Sequence, residues 1–445
     1  MSFRFPRITV SFLFLAILLP LLGACASINQ PEAKPAPVID LAADIDIDEI
    51  AERYVRVALA FGEIDKHYVD AYTGPKEWRE EALAANMGLE DMYAEAVSVL
   101  ASLELAIPAK GEEARLRQLQ RNVTALIGRM RMARGEHLSF NEEAAILYDA
   151  IVPSYDVAEF DAALEKLDAL LPGTGDLGTR LETMRAQLYV PKDKIPAVMK
   201  AAIEECRART QMHYGLPEGE KFNLEFVTDK PWSAYNWYQG AYHSLIEVNL
   251  DQPFLITRAL DLGCHEGYPG HHVWNLYVES EFIRKNGWLE YQLFPLFAPG
   301  ALFAEGSANY GIELAFPGDS RLQFEQDVLY PIAGIDPAAG ILNEDITKAY
   351  GDLRFSRIHI ARAFLDGEID REQAIAMIMK YSITSRTRAE QSLSFIETYR
   401  AYIINYSLGL DLVRNYITAR SENNEEAWRV FEDLLLTPTS ASDLK

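Results

Sequence analysis

The run Cys264-His265-Glu266-Gly267-Tyr268-Pro269-Gly270-His271-His272 holds three of the chain's eight histidines, and Glu305-Gly306-Ser307-Ala308-Asn309 begins 33 residues after it. Imidazoles and carboxylates in this combination are ligands for a divalent cation, and a Glu beside a ligating His is placed to handle a proton. The chemistry these residue types offer is hydrolysis assisted by zinc. On a straight helix the two His ligands stand at i and i+4, about 40° apart and roughly 6 Å along the axis. Here position i+4 from His265 is Pro269. His271 would be rotated by about 240° and face away, while His272 would share the face of His265 but lie about 10.5 Å along it. Two nitrogens at about 2.0–2.1 Å from one zinc cannot span that distance. Pro269 cannot donate to the His265 carbonyl, and Gly270 tolerates unusual dihedrals, so the backbone is expected to loop out at this point. Two looped-out residues return His271 to the i+4 role and three would select His272; the first is favoured.

The third ligand should be a carboxylate on another helix. The segment 301–315, entered from Pro299-Gly300 and stopped before Pro317, reads as that helix. Glu305 and Asn309 stand four apart on one face, so Glu305 can bind the metal while the Asn309 carbonyl oxygen accepts the second N–H of a ligating imidazole. The expected set is therefore His265, His271 and Glu305 on Zn2+, with Glu266 as the base that takes a proton from the attacking water. A lone His at a kink would be an ordinary polar residue. Three of them beside a Glu, with the Pro-Gly break and the downstream Glu-x-x-x-Asn, favour a metal site.

The elements that must position these groups are mostly helical. Ile47, Ile50, Ala51, Tyr54, Ala58 and Phe61 form one stripe at three- and four-residue steps, and amphipathic segments follow near 75–86, 89–104, 111–135, 140–151, 157–171 and 177–189. Helix continues over 194–213. The texture then alternates over 222–227 and 244–249, flanking an aromatic turn region at 232–238, which predicts a small sheet or hairpin just before the His cluster. Helices resume from about 254. The fold class expected is mainly α: a large multi-helix domain with a small β-sheet or hairpin before the metal-site helix.

Residues 1–24 read as a signal peptide, with Arg4 and Arg7 ahead of an apolar core over 10–22 that is too short to span a bilayer. The exit Leu22-Gly23-Ala24-Cys25 resembles a bacterial lipobox, which implies a lipid anchor at Cys25. Ala26 rather than Asp follows it, and the resemblance to Gram-negative lipoproteins implies attachment to the outer membrane, facing the periplasm. Residues 25–43, with Pro31, Pro35 and Pro37, form a tether. The rest divides into a helical N-terminal region, 44–190, and a metallopeptidase-like catalytic region, 191–445. A formal net charge of −24 argues against nucleic acid as a partner. Cys206 and Cys264 do not make a disulfide framework and are expected to be buried thiols.

The run His265-Glu-x-x-Pro-Gly-His271-His272 resembles the signature H-E-x-x-P-G-H-H of a bacterial lipoprotein family whose domain has no known function and which is placed in the gluzincin clan of zinc metallopeptidases. The family's later motif, E-G-W-A-x-Y-x-E, reads here Glu305-Gly-Ser-Ala-Asn-Tyr310-Gly-Ile-Glu313, with Ser307 in place of the tryptophan and the last Glu one residue late. The segments 190–195 and 406–414 are also similar, so the resemblance covers roughly 185–420. The family's Pro-Gly-Gln before the late tyrosine reads Arg400-Ala401-Tyr402 here. The resemblance implies peptide hydrolysis, with His265, His271 and Glu305 on zinc, Glu266 as base and a gluzincin-like catalytic core.

An oxyanion stabiliser is also required, and Tyr406 is the leading candidate. Arg354, Arg357, His359 and Arg414 read more readily as structural, most simply as ion pairs. Strand 244–249 could be an edge that pairs with an extended peptide. Trp232, Tyr235, Trp237, Tyr238 and Tyr242 are expected in the core rather than lining a cleft. Short peptides are the expected substrate. The rivals are a non-catalytic metal-binding envelope lipoprotein and a zinc hydrolase of other amides or esters.

Overall fold

The helix Ile47–Phe61 opens the fold as its sequence stripe requires: Ile47, Ile50, Ala51, Tyr54, Ala58 and Phe61 are all buried, and the Asp46 carboxylate accepts from the Asp48 N–H at the N-terminus. A computed structural model of the chain describes residues 46–230 and 234–445. The signal peptide, Cys25, the whole tether and Trp232 lie outside the described residues. Residues Ala42–Lys445 cluster as one compact unit, and one continuous core runs from Ile47 to Leu444.

The amphipathic segments fold as helices Lys76–Ala84, Leu89–Leu105, Glu113–Ala133, Phe140–Tyr148, Val157–Leu170, Leu177–Arg185 and Ile195–Gln211. Side-chain caps from Ser139, Asp156 and Asp176 set three of these starts. The protein is mainly helical, as expected. Among the described residues no helix is long and apolar enough to cross a membrane.

Two small sheets interrupt the helices. Strand β1 (Val69–Tyr72) pairs antiparallel with β5 (Leu293–Pro295); its four residues carry too short a pattern to stand out in the sequence. The second sheet has β2 (Lys221–Val227), β3 (Ala234–Gly240) and β4 (His243–Asn249) in the order β2-β4-β3, parallel then antiparallel. This corrects two expectations. The aromatic segment over 234–238 is strand β3, because aromatic residues suit a half-exposed pleat, and the turn lies instead at Ala241 and Tyr242, both at positive φ. Strand β4 is central, not an edge, so it has no free side for a peptide; the edges belong to β2 and β3.

Candidate metal centre and the cleft around it

The helix that begins at Arg258–Leu262 widens into a π-helical turn over Gly263–Gly267, breaks at Tyr268, Pro269 and Gly270, and resumes as the helix His271–Tyr277. Across the break the Gly270 N–H donates to the Cys264 carbonyl at 3.0 Å. That bond spans six residues where an α-helix spans four, so two residues are looped out. His271 thereby returns beside His265, with ring centroids 4.6 Å apart. Only glycine fits at position 270: a Cβ there would lie 1.9 Å from the His265 carbonyl oxygen.

Glu305 arrives from the helix Pro299–Ala315. Its Oε2 lies 3.5 Å from His265 Nε2 and 4.0 Å from His271 Nε2, and ligand atoms of the three residues lie within 4.8 Å of one another. Ligand atoms around a tetrahedral zinc stand roughly 3.4 Å apart, so small side-chain rotations would close the set. Among the described residues no other group of three His, Cys, Asp or Glu has this spacing. Asn309, one turn after Glu305, presents Oδ1 to His265 Nδ1 at 3.2 Å, which favours a proton on Nδ1 and turns Nε2 towards Glu305.

The helix carrying Glu305 is pressed against the helix Ile404–Thr418 at a glycine contact. A Cβ on Gly306 would lie 2.5 Å from the Gly409 carbonyl carbon and oxygen, so the backbones touch directly. This brings the Asn309 amide to the Tyr406 carbonyl (3.5 Å) and the Tyr402 hydroxyl to Glu305 Oε1 (3.0 Å). Tyr402 was not singled out as functional from sequence. Its position depends on Arg400, held at φ 52° by buried Glu143, which pairs with the Arg400 guanidinium and accepts from the Ala401 N–H. Tyr406 lines the same cleft, its ring 5.8 Å from that of Tyr402.

The electrostatics follow from burial among like and unlike charges. Burial opposes the charged form of Glu305, but His265, His271 and Tyr402 outweigh it and hold its carboxyl below the usual range. Burial also opposes protonation of His265, yet Glu305 and Glu266 outweigh it and raise the imidazole. Burial and the neighbouring His265 push His271 down to about 4, leaving it in the neutral form that ligates. Burial, reinforced by the Glu305 charge, pushes Glu266 up to about 7. Glu305 Oε2 is sealed from solvent with no hydrogen-bond partner. A buried carboxylate oxygen left unsatisfied between two imidazoles fits a cation, and the donor set of two nitrogens and one oxygen fits zinc.

His272, the alternative ligand, faces the other way and is fully buried. Its Nδ1 meets Ser244 Oγ at 2.8 Å and its Nε2 meets Glu220 Oε2 at 3.0 Å. Glu220 also accepts from the Tyr268 hydroxyl and from Arg207. Burial opposes its charge, but these three partners hold its carboxyl down at about 2. The network ties the looped-out segment to β2, β4 and the helix Ile195–Gln211. Sequence reasoning missed it because its members are scattered over 65 positions. The same helix supplies Cys206, which is joined to Cys264 in a disulfide with Cα atoms 5.4 Å apart. The expected pair of free thiols is thus corrected: helix packing, invisible in the spacing, brings the two sulfurs together.

The centre opens onto a cleft of about 780 Å³, a size suited to a small ligand. Tyr235, Trp237 and Tyr238 line it, with Trp237 41% exposed, so β3's aromatics face the cleft rather than the core. Asp70 of β1 accepts from the Tyr235 hydroxyl there, and Asn236 donates to the Glu266 carbonyl at 2.6 Å. Arg414 pairs with Glu313 and Asp411, and Arg354 with Asp411, as structural ion pairs. His359 packs on Phe160. Arg357 breaks the expectation of an ion pair: it lines the cleft with no acidic partner among the described residues.

No family model matches this sequence, and no curated protein matches it. Solved structures similar to it include a candidate lipoprotein from Colwellia psychrerythraea, at 14% identity and a TM-score of 0.50 over 81% of this chain and 63% of that one. The chain thus spans under two thirds of that protein's length. A candidate lipoprotein of unknown function from Shewanella oneidensis gives 14% identity and 0.44 over 82% and 75% of the two chains. An M32 carboxypeptidase from Deinococcus radiodurans R1 gives 12% identity and 0.34 over 87% and 89%. The Colwellia protein shares the fold.

Proposed function

We propose that this protein hydrolyses peptide bonds in short peptides, using zinc held by His265, His271 and Glu305. The observation that carries this reading is the buried, unpartnered Glu305 Oε2 between two imidazole nitrogens at the base of a cleft. Zinc bound there supplies the positive charge that polarises the carbonyl under attack. Glu266, adjacent in sequence to His265, takes the proton from the attacking water and passes it to the leaving amine. Asn309 keeps the His265 ring oriented, and Tyr402 steadies Glu305. Tyr406 donates to the carbonyl oxygen as it gains charge.

The site of action in this reading is the periplasm, with the chain anchored by lipid at Cys25 to the outer membrane. The support is the run Leu22-Gly23-Ala24-Cys25, and the Colwellia protein that shares the fold is itself a candidate lipoprotein. The test is Glu266→Gln in zinc-loaded protein. Product release from a peptide library should fall by roughly 10²- to 10⁴-fold with zinc retained. Release at the wild-type rate would contradict the assignment.

A further inference from the structure

The cleft has two arginines, and they differ in one respect. Arg258 lies 3.6 Å from Asp261 on its own helix. Arg357, on the helix Ser356–Leu365, has no hydrogen bond and no ion pair among the described residues. Its Nε is sealed from solvent without a partner, and the residue lines the cleft together with Phe395, Tyr399, Tyr402 and Tyr406. Burial lowers its affinity for the proton, and only the phenols of Tyr406 and Tyr350 oppose that effect. A guanidinium stays charged under such pressure. None of the cleft's acids, Asp70, Asp261, Glu266 and Glu305, forms an ion pair with it, and the protein carries a net charge of −24 that leaves few cations unpaired.

A half-buried cation with no counter-charge carries a desolvation cost that a ligand's opposite charge would offset. The planar fork of Arg matches a carboxylate with two parallel N–H···O bonds, which a solvated lysine does not reproduce. We infer that Arg357 is the recognition site for a carboxylate of the substrate, in the same cleft as the metal centre. The inference rests on the peptide-hydrolase reading for the identity of that substrate. Two sources present this chemistry: the free C-terminal carboxylate of a short peptide, and an acidic side chain within it.

The experiment uses N-acetylated tetrapeptides of one sequence in three forms: free acid, C-terminal amide, and amide with one Gln replaced by Glu at each position in turn. For the wild type, KM should be roughly tenfold to a hundredfold lower for a carboxylate-bearing form than for the neutral amide. A preference for the free acid identifies the chain end, and a preference for one Glu peptide identifies a side chain. Arg357→Gln should raise KM for the favoured peptide to that of the neutral amide, and Arg357→Lys should keep part of the difference. Equal KM values across all forms in the wild type would overturn the inference. So would a loss in Arg357→Gln that falls on kcat equally for acid and amide, which would place Arg357 at the reacting atoms. If no peptide is cleaved, the hydrolase reading fails separately. Equilibrium binding of the same peptides to Glu266→Gln protein then decides: tighter binding of a carboxylate form, lost on adding Arg357→Gln, upholds the subsite, and equal binding overturns it.

Discussion

Gly306→Ala should disable the proposed metal centre without touching a proposed ligand. The added Cβ would lie 2.5 Å from the Gly409 carbonyl carbon and oxygen and 2.9 Å from its Cα. Carbon contacts settle at about 3.5–4.0 Å, so the helices Pro299–Ala315 and Ile404–Thr418 must part by about 1 Å. Neither side of the clash is a flexible side chain that could swing away. Glu305 is the adjacent residue and moves with its helix, whereas His265 and His271 sit on a separate segment and stay. Metal sites tolerate about 0.2 Å in ligand distance, so the shift should weaken zinc affinity by roughly 10- to 100-fold, as loss of a supporting contact does elsewhere. Overpacking should also cost about 1–3 kcal/mol of stability. Competition with a chelator reads the first quantity, and urea unfolding reads the second. Gly300→Ala is the control: it lies on the same helix, a Cβ there meets nothing within 4 Å, and alanine favours helix by up to about 1 kcal/mol. A Gly306→Ala protein with wild-type zinc affinity and urea midpoint would refute the reasoning.

Further perturbations separate the roles assigned around the centre. His271→Ala should abolish stoichiometric zinc, whereas His272→Ala should keep it and lose about 1–3 kcal/mol by stranding buried Ser244 and removing one of Glu220's three partners; elemental analysis and urea unfolding distinguish them, and zinc loss in His272→Ala alone would reverse the assignment. The Glu220 carboxyl is held from 4.5 down to about 2, so its contribution to stability is present above about pH 4.5 and is lost as pH falls towards 2. The gap in urea midpoint between wild type and Glu220→Gln should therefore be constant near neutrality and narrow below about pH 4.5; a gap that ignores pH would contradict the network. Replacing Cys206 and Cys264 by Ala removes a link between residues 58 apart and should cost about 2–4 kcal/mol, readable as a lower melting temperature; unchanged melting would show that the link does not constrain the chain.

What the sequence made legible was local. The stripe from Ile47 to Phe61 and the amphipathic segments after it depend on spacing within a few turns, and the helices follow them. The two-residue loop-out was also legible, because Pro269 lacks an N–H and only Gly270 permits the close approach. What stayed hidden was long-range pairing. Alternation marks 244–249 as a strand but does not reveal that β2 and β3 cover both of its sides. Two cysteines 58 apart carry no sign that one helix lies beside another. Tyr402 reads as an ordinary aromatic until Glu143, more than 250 residues earlier, holds Arg400 in a left-handed conformation and turns the phenol onto Glu305. Arg357 could be found only by noticing, in three dimensions, that no acid reaches it.

Diffraction from crystals of the purified protein at the zinc absorption edge tests the central claim most directly. A single anomalous peak within about 2.0–2.2 Å of His265 Nε2, His271 Nε2 and a Glu305 oxygen is the result expected. An empty site in zinc-loaded crystals, or a peak held by other residues, would contradict it.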